Sequence, residues 1–197
     1  MAYLRILILL MGCQSVWAFD DGCTCNIQDY GAKPDNTTLA TTAIEAAIAA
    51  CRSQCAEGST VVVPSGHFLI GSFLLQSNIT LELQTGALLT GIASQAAYPV
   101  VPFEPPMGST MSWRALIACY NCSNIAIVGN GTIDGNGYIW WANYTLGVLL
   151  NERPKLIELV YCNNVRLQGF TAQNSAFWTI HPVFSRDIYG LHNLGRP

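Results

Sequence analysis

Glu158 and His181 hold matching places in two copies of one short repeat. If Ile157, Leu159 and Ile180 point inward, the two-residue period of a strand turns both of them outward on neighbouring strands. A carboxylate and an imidazole placed side by side either line a cleft or form an ordinary surface pair. Trp178, three residues before His181, offers an apolar plane, and His181 offers a hydrogen-bond donor. Their alternative roles are to close an apolar stack and to bond locally. Upstream, Arg153 and Lys155 either attract an anionic ligand or mark a solvated loop end. Asp134, in Gly131-Thr132-Ile133-Asp134-Gly135, reads as a turn former rather than a catalytic acid. Gly129-Asn130-Gly131 reads as a turn and not a phosphate loop, because no strand-to-helix pattern flanks it.

The elements that must position these side chains are short and repetitive. Residues 38–55 have the apolar spacing of a helix, with Ala43, Ile44, Ala47, Ile48 and Cys51 on one face and Thr38 as N-cap. From Thr60 onward, short β segments alternate with Gly and Asn turns. Thr60–Val63, Phe68–Leu75, Ile79–Leu83 and Ala87–Leu89 are predicted strands. Leu116 to Ile125 recurs 40 residues on as Leu156 to Val165, and a fainter copy starts 23 residues later at Thr179. In-register repeats of this kind predict an all-β fold, a parallel β-helix whose coils bury their apolar faces only by stacking. A β-sandwich would need antiparallel hairpins, and the repeat argues against it. Insertions are expected over residues 93–113 and 137–153, with Trp140 and Trp141 packing the second against the coil. The N-terminal helix is expected to cover one end of the stack.

The chain has 197 residues, of which 51% are hydrophobic and 11% charged, a balance that excludes disorder. A net charge of −3 gives no basic surface for nucleic acid. Residues 1–18 read as a signal peptide, with Arg5 before an apolar run and Val16-Trp17-Ala18 before the cleavage point. The run is too short to span a bilayer, so a secreted product with no membrane attachment after signal removal is expected. Beyond that segment seven cysteines remain. Cys23, Cys25, Cys51 and Cys55 are candidates for disulfides whose connectivity is open. Their spacing does not suit zinc, and no metal or cofactor is implied. The odd count predicts a thiol available for a disulfide-linked dimer. Asn36, Asn78, Asn121, Asn130 and Asn143 head glycosylation sequons.

Several segments, taken in order, resemble the polygalacturonase family, glycoside hydrolase family 28. They are Asp29-Tyr30-Gly31-Ala32, Val61 to Phe68, Gly131 to Gly137 with Trp140-Trp141, and above all Arg153-Pro154 to Pro182 with its Asn174-Ser175-Ala176-Phe177-Trp178-Thr179-Ile180-His181-Pro182. The resemblance implies a right-handed β-helix and hydrolysis of α-1,4-galacturonan, the backbone of pectin, with inversion. Inversion needs two carboxyl groups about 6.5–9.5 Å apart. In the family these come from Asn-Thr-Asp-Gly-x-Asp and an Asp pair one coil later, and neither occurs here. Residues 19–197 are therefore expected to be the N-terminal, apparently truncated part of a pectinase-like domain, inactive as given, with no catalytic residue of its own. Trp178, His181, Glu158, Arg153 and Lys155 are the expected contacts to pectin or oligogalacturonide: Trp178 to a sugar ring, His181 to a uronate carboxylate. The rival readings are a non-catalytic pectin-binding module and a structural remnant. A pectate lyase would need a calcium-binding carboxylate cluster, which the sequence does not show. Gly190, an added residue before Leu191, is expected to disturb the last strand.

Overall fold

The computed structural model describes residues 23–55, 58–102 and 111–190; the expected signal segment, residues 1–18, lies outside them. The chain winds through three parallel sheets in turn, making a right-handed parallel β-helix. The first sheet stacks Thr24–Asn26, Ser59–Val63, Ile79–Leu83, Ser123–Gly129, Asn163–Gln168 and Arg186–Tyr189. The second stacks Asp35–Leu39, Gly66–Ile70, Ala87–Gly91, Thr132–Asp134 and Thr171–Gln173. The third stacks Phe73–Leu74, Ile117–Tyr120, Ile157–Val160 and Ile180–Val183.

Each sheet sends columns of apolar side chains inward. Val61, Leu81, Ile127 and Leu167 are in register, as are Phe68, Leu89, Ile133 and Ala172, and Phe73, Ile117, Ile157 and Ile180. All are buried except Ile180, which is half-buried at the last turn of the third sheet. No coil could bury its column alone, so hydrophobic burial acts along the stack rather than within a turn. The repeat read from sequence is thus the structural register: Ile117 lies against Ile157 and Ile157 against Ile180.

The turns explain the asparagines. Asn78, Asn124 and Asn164 adopt left-handed backbone angles, with φ of 62°, 56° and 57°. Their amides form a ladder: Asn164 Nδ2 donates to Asn124 Oδ1 at 2.7 Å, and Asn124 Nδ2 donates to Asn78 Oδ1 at 3.0 Å. Asn tolerates this backbone better than most side chains, and the ladder satisfies polar groups where sheet bonding lapses. Gly129 has φ 113°, and a Cβ there would sit 2.0 Å from the Leu83 carbonyl oxygen. Glycine is required by both conformation and space.

The helix spans Thr41–Gln54 and lays the predicted apolar face, Ala43, Ile44, Ala47, Ile48 and Cys51, over the first coil. Its start is later than the sequence predicts. Thr38 is no N-cap: it lies in a strand, and its N–H and hydroxyl both donate to the Asp35 carboxylate, an Asx-type turn that competes with the helix. Disulfides Cys23–Cys55 and Cys25–Cys51 pin the C-terminal end of the helix to the start of the first sheet, at and just before the strand Thr24–Asn26. The predicted strand Phe68–Leu75 is two strands, because the chain turns a corner at Gly71-Ser72 from the second sheet to the third. A third disulfide, Cys119–Cys122, was not foreseen. It leaves Cys162 as the free thiol, and Cys162 is buried, so among the described residues no exposed thiol supports the expected dimer bridge. The final strand holds register through Tyr189 opposite Arg166, and Gly190 follows at φ 76°.

Both insertions leave the corner between the second and third sheets, on consecutive coils. The first carries an antiparallel pair, Val100–Pro102 with Met111–Trp113, and the second a helix, Tyr138–Thr145. Trp140 is buried between Tyr98 and Trp113, with ring centroids 5.2 and 5.0 Å away in edge-on geometry. Trp141 Nε1 donates to the Ser175 carbonyl at 3.0 Å, which ties the inserted helix to the next coil. Among the described residues no helix is long and apolar enough to cross a membrane.

Candidate functional site

The outward face of the third sheet gathers the ionisable residues singled out in the sequence. Ala118, Glu158 and His181 are in register on adjacent strands. Ala118 is small, which leaves room beside the carboxylate. Lys155 Nζ lies 2.8 Å from Glu158 Oε1, and each side chain is only 2% exposed. His181 Nδ1 lies 3.1 Å from the same oxygen. Tyr120, two residues beyond Ala118 and so on the same face, donates its hydroxyl to Glu158 Oε2 at 3.3 Å. Glu158 therefore does point outward, as alternation requires, but into a covered niche and not into solvent.

Lys155 differs from expectation in the same way. It is a buried cation with a carboxylate partner, not a solvated loop end. An unpaired charge there would be costly, and the close pair is what makes burial tolerable. Burial holds His181 below the ordinary imidazole range; the bond to Glu158 opposes this and the Lys155 charge adds to it. That direction favours the neutral imidazole at pH 7.

Above the niche runs a row of flat groups. Trp178 meets His181 at 4.2 Å between ring centroids with a 47° tilt. Phe177 stacks on Trp178 at 4.7 Å and 14°. The Arg153 guanidinium carbon lies 4.8 Å from the Phe177 ring centre and 4.0 Å from that of Tyr144, held by two cation–π contacts. The Arg153 Nε is buried without a hydrogen-bond partner. Trp178, His181, Phe177 and Arg153 are each partly exposed. Sequence reasoning missed Phe177, Tyr120 and Tyr144. Phe177 adjoins Trp178 and Tyr120 follows from the period of two, so both were within reach. Tyr144 belongs to the inserted helix, whose docking no repeat encodes.

The arrangement can bind and orient, and it has one carboxylate where inverting hydrolysis needs two. Asp134 does not supply the second. It sits in its turn, accepting from the Asn136 N–H at 2.7 Å and from Gln173 Nε2 and Asn174 Nδ2 at 2.8 Å each. The grouping with metal-ligand character is Cys119, Cys122 and Cys162, with sulfurs within 4.8 Å of one another. Two of those sulfurs are joined in a disulfide, which removes the thiolates a metal would need. Of the sequon asparagines, Asn36, Asn121 and Asn130 are exposed, Asn143 is half-buried on the inserted helix, and Asn78 is half-buried in the amide ladder.

A sequence family described as rhamnogalacturonase A/epimerase, pectate lyase-like, matches residues 24–88. A probable polygalacturonase of Vitis vinifera is 36% identical over 172 residues, covering 84% of this chain and 35% of the relative. An exo-poly-α-D-galacturonosidase of Dickeya chrysanthemi is 40% identical over 121 residues, covering 57% of this chain and 19% of its own length. The family 28 exopolygalacturonase of Yersinia enterocolitica superposes with a TM-score of 0.74 at 27% identity, over 85% of this chain and 38% of that one. This chain thus spans about a third or less of the length of these two curated relatives.

Proposed function

We propose, on the premise that the chain belongs to the polygalacturonase family of glycoside hydrolases, that it provides a galacturonan-binding wall of a pectin-degrading enzyme. The observation that supports this most directly is the partly open row of Arg153, Phe177, Trp178 and His181 on one edge of the third sheet. Aromatic planes suit the apolar faces of pyranose rings, and a guanidinium suits a uronate carboxylate. Hydrolysis itself is assigned outside this row. One carboxylic acid must protonate the leaving oxygen while a carboxylate activates water on the opposite ring face. Glu158 is buried and committed to Lys155, and Asp134 is committed to its turn, so neither serves.

The 197-residue chain should bind oligogalacturonides without cleaving them, and in its cell it should be secreted and glycosylated. Calorimetry with trigalacturonate, alongside a reducing-end assay on polygalacturonate, tests this. Binding that weakens by up to about tenfold in Trp178→Ala, with no reducing ends released, is the expected result, since an aromatic contact is worth about 0.5–1.5 kcal/mol. Absence of binding would leave a purely structural β-helix. Release of reducing ends that Glu158→Ala abolishes would overturn the assignment of roles.

A further inference from the structure

We infer that Glu158, clamped by Lys155 and Tyr120, is a positioning residue that fixes His181 in the Nδ1–H tautomer, so that its Nε2 accepts a hydrogen bond from a sugar hydroxyl. This rests on the galacturonan reading for the identity of the ligand, but not for the tautomer.

The argument is one of donors and acceptors. Glu158 Oε1 receives the Lys155 ammonium at 2.8 Å, and an ionised carboxylate only accepts. The nitrogen facing that oxygen at 3.1 Å is Nδ1, so Nδ1 must carry a proton. A neutral imidazole has one N–H, so Nε2, the ring nitrogen that does not face Glu158, is left as an acceptor. Trp178 lies against the ring at 4.2 Å and limits its rotation. The groups that bear on this imidazole are thus Lys155 and Glu158 from the preceding coil, Tyr120 from the coil before that, and the uncharged Trp178 from its own.

This reverses the role that sequence alone gave to His181. A lone pair repels a carboxylate and welcomes a hydroxyl. In a uronate polymer the two recognition tasks then divide: His181 takes a ring hydroxyl, and Arg153, at the other end of the row, takes the carboxylate. It also accounts for a costly feature. A buried lysine–glutamate pair is often no better for stability than apolar residues of the same size, so its presence beside the partly exposed imidazole points to orientation.

The test is NMR of the full chain with ¹⁵N-labelled histidine at pH 7. The expected result for His181 is a pyrrole-type Nδ1 and a pyridine-type Nε2. The reverse assignment, or an even mixture, overturns the inference. The double variant Lys155→Met/Glu158→Leu removes both charges together, keeps the volume and should fold. Its imidazole should shift to a mixture rich in the Nε2–H form; an unchanged tautomer would show that Glu158 does not set it. Tyr120→Phe should fold and leave the tautomer in place. Trigalacturonate is then added, with binding followed separately by calorimetry. Binding that moves Nε2 supports the hydroxyl contact, and the double variant should bind about 2- to 10-fold more weakly, the worth of one neutral hydrogen bond. Binding that leaves Nε2 unmoved overturns the contact. No binding at all sinks the galacturonan reading, while the tautomer result still decides the positioning role.

Discussion

Replacing Lys155 by methionine should be one of the more damaging single changes on the third sheet. Met matches the lysine stem in length and keeps the apolar contacts, so the change isolates the charge. The variant leaves the Glu158 carboxylate, 2% exposed, with only the Tyr120 hydroxyl at 3.3 Å and the neutral His181 N–H at 3.1 Å. Removing one partner of a buried pair costs about 3–5 kcal/mol. The two surviving hydrogen bonds place this case near the lower end, about 3 kcal/mol. Lys155→Met/Glu158→Leu, which leaves no charge behind, should fall within about 1 kcal/mol of the wild type. Urea unfolding at pH 7, with the slope shared among variants, reads these differences directly. The interaction energy between the two substitutions should be strongly negative, because the double variant should lose far less than the two single losses added together. A loss below about 1 kcal/mol for Lys155→Met would mean that water reaches Glu158. Equal losses in single and double variants would mean that packing, not charge, is what matters there.

Gly129→Ala should cost about 3 kcal/mol or prevent folding, because its Cβ would collide with the Leu83 carbonyl oxygen at a φ of 113°; thermal melting of the variant checks this. Cys162 should resist iodoacetamide at pH 8 in the folded chain and react after unfolding, because burial raises its thiol above the ordinary range; mass spectrometry of the labelled peptide gives the answer. The fold should also lose stability as pH falls. His181 is held below its unfolded value, chiefly by burial, so the unfolded chain takes up the proton first. Stability from this group is present above the unfolded value of about 6.5 and declines as pH falls from there through the folded value. His181→Gln should flatten that part of the urea-midpoint profile, and an unchanged slope would show that His181 is not its source.

The coils were legible because the same constraint acts on each of them. Inward residues such as Ile117 and Ile157 must align, and the alignment appears in the sequence as an offset that holds for ten residues, Leu116 to Ile125 against Leu156 to Val165. The Asn turns are local and equally readable. Corners were not, since Gly71-Ser72 ends one strand and starts another without a break in apolar character. Thr38 failed for a local reason: Asp35 competes for the groups that a helix start would use. The facing of Glu158 followed from period two, but its burial did not. Burial depends on how Lys155 and the Tyr120 hydroxyl close over the carboxylate after folding; the period of two puts Tyr120 on the right face but does not encode that closure. The Cys119–Cys122 bridge and the cation–π hold of Tyr144 on Arg153 are of the same kind.

The corner that releases both insertions has a bearing on how such a chain can change over generations. Paired residues on successive coils are 39–46 positions apart where an insertion intervenes and 20–23 apart where the chain winds directly from one coil to the next, and the strands are in register in both cases. Length gained at that corner is therefore invisible to the scaffold. The second excursion also carries Tyr144, which grips Arg153. A lineage could lengthen, shorten or exchange that excursion and so alter what the wall accepts, while every inward column stayed as it was. Selection for folding and selection for ligand would then act largely on separate stretches of the same coil, meeting where Trp140 and Trp141 anchor the excursion.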